Sequence, residues 1–142
     1  MNTAYRVWDG EQMHYWDDEG LSLIIKSNGD WTLKRLYTDV LVPVVDSTNR
    51  NAALMWGAKV RGKFIYDRSI VKITSDDKES SDVCEVKFSD GVFQVDVSKI
   101  SADYDVTAVG WVEYATIEVI GDVYQNPELL EGVKLEHHHH HH

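Results

Sequence analysis

Apolar and polar positions alternate along most of this chain with the period of two that an extended strand imposes, interrupted by clusters of Asp, Asn, Ser and Gly. The clearest case lies between Val83 and Ser98. Val83–Phe88 and Val92–Val97 flank Ser89-Asp90-Gly91, and Phe93, Val95 and Val97 alternate with Gln94, Asp96 and Ser98, which predicts a hairpin. Leu21–Ile25 and Trp31–Tyr37 predict another, turning at Ser27-Asn28-Gly29-Asp30. In its second strand Trp31, Leu33, Arg35 and Tyr37 share one face and Thr32, Lys34 and Leu36 the other, and the pattern does not choose the buried face. Residues 4–16, with Tyr5, Val7 and Trp8 before Asp9-Gly10 and Met13, Tyr15 and Trp16 after it, predict a first hairpin.

Elsewhere the pattern is interrupted. Val40–Val45 is β-branched but contains Pro43, which has no amide donor, so it reads as an edge strand or an extended connection. The polar stretch Asp46–Asn51 marks a boundary between an N-terminal β-rich lobe, residues 1–50, and a second lobe, residues 51–134. Asp46 or Ser47 can cap a short helix through Ala52–Met55, with a strand as the alternative. From Leu54 to Ile73 the chain reads as a hairpin about Arg61-Gly62, then an apolar run Phe64–Tyr66, a polar break at Asp67-Arg68-Ser69, and a second run through Ile73. Ser75–Asp82 is a hydrophilic loop, and Ile100–Val106 is a loop or a short helical turn. Val109–Val123 is strand-like, with Gly110 and Gly121 as bends or bulges. Asn126-Pro127-Glu128 predicts a helix start with Asn126 as its cap, Leu129 and Leu130 anchoring it and Gly132 stopping it.

The last eight residues, Leu135-Glu136 and six histidines, read as an expression tag, which leaves His14 as the single histidine of the folded part. Residues 1–134 suffice for one domain or two small lobes, and a 43% hydrophobic content with five tryptophans and seven tyrosines argues against disorder. The opening MNTAYRVWDG has no apolar core of a signal peptide, and no run approaches the ~20 apolar residues of a membrane span. With the single Cys84, this predicts a cytoplasmic protein without an internal disulfide. Cys84, between Val83 and Val86, reads as a small core side chain.

Charge is uneven along the chain. The formal net charge is -10, yet residues 54–73 carry five Lys/Arg against one Asp, whereas residues 74–136 carry four lysines against fifteen acids. Most of the surface therefore repels nucleic acid, and the central hairpin is the basic exception. Lys59, Arg61, Lys63 and Arg68 beside Phe64 form the candidate partner-binding patch. Trp8, Tyr15, Trp16, Trp31, Trp56, Tyr66 and Trp111 could form a stacking surface, but in a chain of this size most tryptophans serve the core.

Catalytic chemistry is poorly provided for. Any Ser-His-Asp or Cys-His arrangement must use His14, which falls in an aromatic hairpin. CxxC, HExxH, Walker and GxGxxG motifs are missing, so no cofactor or metal is expected, and the sequence reads as a non-enzyme. Asp17-Asp18-Glu19 lacks the alternating oxygen ligands of a calcium loop and reads as a polar turn.

Three segments carry a resemblance. Gly57, Lys59, Gly62, Lys63, Ile65, Tyr66, Ile70 and Val71 match the segment YTGLKDKNGKEIYEGDIV typical of the YopX family of phage and prophage proteins of Gram-positive bacteria. Here the turn is one residue shorter, and Arg68-Ser69 stands in place of Gly-Asp. Glu118–Leu130, EVIGDVYQNPELL, resembles the family's EVIGNIYENPELL, and Arg6-Val7-Trp8-Asp9, followed by Met13 and Tyr15, resembles its RVWD opening. The resemblance implies a phage or prophage protein and brings no reaction with it.

The expected fold is α+β and mostly β: an N-terminal hairpin lobe, then a small SH3-like barrel or bent antiparallel sheet, then a short C-terminal helix. The expected function is that of a prophage accessory protein, a non-enzymatic module that binds a host or phage protein, with self-association through an edge strand or the hairpin. The alternatives are a nucleic-acid-binding module using the basic hairpin at residues 59–72, or an acidic mimic of nucleic acid. No membrane partner is expected.

Overall fold

Among the described residues, thirteen strands in chain order, all antiparallel where their register is defined, make up nearly all the regular structure. The computed structural model describes residues 4–60, 62–76, 80–96, 106–109 and 115–130. The chain divides into two compact units, Met1–Gly57 and Ala58–His142.

In the first unit, β1 (Ala4–Trp8) pairs with β2 (Met13–Tyr15) across the Asp9–Gln12 turn and, on its other edge, with the first part of β6 (Ala53–Val60). The ambiguous Ala52–Met55 segment is therefore strand: Ala53, Leu54 and Met55 lie opposite Trp8, Val7 and Arg6. A second sheet runs β3 (Leu21–Ile25), β4 (Trp31–Tyr37), β5 (Val40–Asp46), with β4 in the centre. Its register settles which face of β4 is buried. Leu33, between Leu23 and Val45, is fully buried with Val7, whereas Leu36 on the opposite face is exposed.

β5 is an edge strand of this sheet, and the backbone explains how it tolerates Pro43. The Leu36 N–H donates to Gly20 O on the β3 side, so Leu36 and its partner Leu41 are not hydrogen-bonded to each other. The amides of Leu41 and, two residues on, Pro43 therefore face the open edge. Proline costs no ladder bond there.

In the second unit, β8 (Ser69–Ser75) lies between β9 (Ser81–Glu85) and β13 (Ala115–Asp122), while β10 (Lys87–Ser89), β11 (Val92–Asp96) and β12 (Val106–Ala108) form another sheet. β7 (Lys63–Tyr66) pairs with β6. Ile65, Val71, Ile73, Val86, Val95 and Val109 form the core, with Cys84, Phe93 and Ile117 packed on it.

The expected single strand Val83–Phe88 is broken in two at Val86. The Val86 N–H donates to Ser69 O at 2.7 Å and its carbonyl accepts from Arg68 N–H at 2.8 Å. This pins Val86 in the core while the chain passes from the β8 sheet to the β11 sheet. The Phe88–Phe93 half of the predicted hairpin forms as read.

The expected bulge at Gly121 is present as a register shift after Val119. Residues 128–130 are helical, but Asn126 does not cap the helix. Its side-chain oxygen accepts from Asp122 N–H, and its backbone carbonyl accepts from Leu129 N–H. Residues 100–105, Gly110 and Gly132 lie outside the described residues. The protein is mostly β with one short C-terminal helical segment, as expected.

Candidate functional site

Among the described residues, the basic segment is divided between two faces and a separate turn. β7 alternates, so Phe64 points to one face while Lys63 and the buried Ile65 share the other. Lys59 joins Phe64, its Nζ 5.9 Å from the ring centroid, and Phe64 stacks at 6.5 Å on Tyr66. Lys63 instead lines an apolar cavity with Val60 and Ile65. Arg61 lies outside the described residues.

Arg68 belongs to a different corner, at the far end of β7. It occupies a positive φ of 66° in the β7–β8 turn, its guanidinium sits 5.6 Å from the Tyr124 ring and donates to the Tyr124 hydroxyl, and Asp67 lies 3.9 Å away. An arginine engaged in this way holds a joint. Val123 N–H donates to Arg68 O, and Asp122 pairs with Ser69.

The motif EVIGDVYQNPELL is read by the same joint. Asp122 is buried, its Oδ1 accepting from Tyr124 and Gln125 N–H and its Oδ2 from the Gln125 amide. A Cβ at Gly121 would come within 2.5 Å of Asn126 Oδ1, so any larger residue must displace the Asn126 side chain. The RVWD segment is equally structural: Arg6 and Val7 are buried, and Asp9 Oδ1 accepts from Glu11 and Gln12 N–H, both at 2.7 Å.

His14 is buried in the first unit between Asp9 and Arg35. Arg35 has only donors, so its 3.2 Å contact makes His14 Nδ1 an acceptor. The proton is therefore on Nε2, which donates to Asp9 Oδ2 at 2.7 Å. Partial burial raises the Asp9 carboxyl, but the bonds from His14, Gln12 and Glu11 outweigh it and hold the group below the ordinary carboxylate range. Arg35 also donates to Glu19 O and lies 3.9 Å from Asp18. This chain ties β2 and β4 together. Among the described residues, no three His, Cys, Asp or Glu side chains are grouped to hold a metal.

The surface that pattern reading missed is the end of the β4–β5 hairpin. β3 pairs with β4 no further than Leu21 opposite Arg35, a last bond from Leu36 N–H to Gly20 O closes the ladder, and beyond that bond the hairpin projects as an arm. Leu36 and Leu41 are exposed on one face; Tyr37 (56% exposed), Val40 (61%) and Val42 are exposed on the other. At its tip Thr38, a β-branched residue, is held at φ 57°, a costly conformation of the kind that collects at functional sites. The signal was present in the sequence as Leu36-Tyr37-Thr38-Asp39-Val40-Leu41-Val42, with one charge in seven residues. Of the aromatic residues considered for a stacking surface, Trp8, Tyr15, Trp16, Trp31 and Trp56 are half-buried and Tyr66 is buried, in keeping with the expectation that most serve the core, and Trp111 lies outside the described residues. The exposed rings among the described residues are Tyr37, Phe64 and Phe88.

Fold and surfaces together define a mostly β protein whose most distinctive segments hold its joints. The YopX protein family matches residues 4–131, and the chain belongs to that family. It is similar to the crystal structure of protein yopX from Bacillus subtilis, at 96% identity over 91% of this chain and 98% of that one, with a TM-score of 0.85.

Proposed function

We propose that this YopX-family chain is a non-enzymatic, cytoplasmic accessory protein of a phage or prophage that binds another protein through the β4–β5 arm. The observation that carries this reading is the exposure of Leu36, Tyr37, Val40, Leu41 and Val42 on both faces of one projecting hairpin. Apolar side chains in one contiguous exposed group mark an interaction surface, and protein interfaces favour aromatic anchors such as Tyr37. With Asp39 as its only charge, the arm suits a protein rather than a phosphate backbone. Side-chain packing, rather than strand addition along β5, is the mode of contact, because Pro43 removes a donor from the open edge. No helix among the described residues is long and apolar enough to cross a membrane.

The test is capture from a Gram-positive host lysate, with and without nuclease, by three forms of the protein: wild type, Leu36→Lys/Leu41→Lys, and Lys59→Glu/Lys63→Glu. A nuclease-resistant protein held by wild type and the Lys59/Lys63 variant, but lost by the arm variant, is the expected result. Loss of all bound material on nuclease treatment overturns the protein-binding reading, and retention by the arm variant overturns the assignment to the arm.

A further inference from the structure

The second unit contains a cavity of about 250 Å3 lined by Val60, Lys63, Ile65, Val109, Ile117 and Val119, with Thr116 as its remaining wall. Its lining side chains are aliphatic except for those of Thr116 and Lys63. Lys63 is placed there by strand alternation: it lies on the same face of β7 as Ile65, opposite to Phe64. Among the described residues no carboxylate pairs with Lys63, and none lines the cavity. Glu118, two residues beyond Thr116 on β13, does not line it.

We propose that this cavity binds a small carboxylate with an apolar body, the body packed against the partly exposed Val60, Ile117 and Val119 and the carboxylate paired with Lys63. The size suits such a ligand: a closed apolar cavity of about 150 Å3 holds benzene, so 250 Å3 takes an aryl ring and a short chain. The composition suits it as well, since small-molecule sites are mostly apolar with few polar groups that fix orientation. Lys63 is exposed and Val119 is 40% exposed, which puts the charge at the mouth and leaves an entry path. An anionic head at the mouth keeps most of its hydration while the apolar body is buried, so the pairing carries little desolvation cost. This site lies in the second unit, and its occupation is independent of the arm's role.

The test uses the full chain and two probes with the same apolar body, 4-phenylbutyrate and 4-phenylbutanol, titrated while the methyl resonances of Ile65, Ile117 and Val119 are followed by NMR. The acid is expected to shift those methyls saturably. Lys63→Met weakens the acid about two- to fivefold and leaves the alcohol unchanged, while Lys63→Arg retains acid binding. Val119→Trp, a change at an exposed position, blocks both probes. No saturable shift at millimolar acid, equal acid affinity in Lys63→Met, or binding that survives Val119→Trp each overturns the proposal.

Discussion

The β4–β5 and β6–β7 hairpins have similar sequence credentials and opposite outcomes. Each is two short strands joined by a tight turn, and the basic one, around Lys59, Arg61 and Lys63, has the more conspicuous composition. Yet alternation sends Lys59 and Lys63 to opposite faces of their sheet, and Arg68 is engaged with Tyr124 and Asp67 in another turn. Charge that sums along a chain need not sum in space. The apolar hairpin shows the converse: a run that reads as core material projects beyond its neighbouring strand and remains uncovered on both faces.

The sharpest way to break this comparison is to truncate leucines on the two faces of β4. Leu33→Ala, in the core of the first unit, is expected to cost about 2–5 kcal/mol in chemical denaturation, whereas Leu36→Ala should stay within about 0.5 kcal/mol. Equal losses would mean that the arm is packed rather than projecting. Next in size is Gly121→Ala, expected to cost about 1–3 kcal/mol by driving a methyl into Asn126. Combining it with Asn126→Ala should cost less than the sum of the single changes, because the contacts with the amide go and only the 2.9 Å approach to the Asn126 Cβ remains; strict additivity would remove the steric explanation.

Asp9 offers a pH-dependent contrast. Its carboxyl is held below the ordinary value of about 3.9, so its contribution is fully present above that pH and is lost as pH falls through the lowered native value. The stability gap between wild type and Asp9→Ala, about 1–3 kcal/mol at neutral pH, should therefore narrow below about pH 4. A gap that widens below about pH 4 would reverse the sign and contradict the lowered carboxyl of Asp9. The smallest effect is expected of Lys59→Ala, at most about 0.5 kcal/mol, since its ammonium only grazes the Phe64 ring in solvent. A larger loss on thermal unfolding would restore Lys59 to a structural role.

Much of the fold was legible because alternation and turn chemistry are local. Leu21–Tyr37 forms the predicted hairpin, Pro43 sits on an edge, and Gly121 marks a bulge. The break at Val86 was not legible, because it depends on Ser69 and Arg68, which reach it only through tertiary pairing. Asn126 misled for a related reason: a cap residue beside Pro127 has every local qualification, but its amide is drawn back over Gly121 by Asp122 N–H. The family signature was readable as a signature, while its meaning was not. Arg68 and Asp122 are far apart in sequence and adjacent in the sheet, so only the register between β8 and β13 reveals that these motifs secure a joint.

The central claim, that the arm is the contact surface, is tested most directly by hydroxyl-radical footprinting of the protein alone and with the protein it captures. Tyr37 and Phe64 are both exposed rings, one on each hairpin, and report side by side in a single experiment. Protection of Tyr37 with Phe64 left reactive is the predicted result. Protection of Phe64 with Tyr37 unchanged would contradict it and return the site to the basic hairpin.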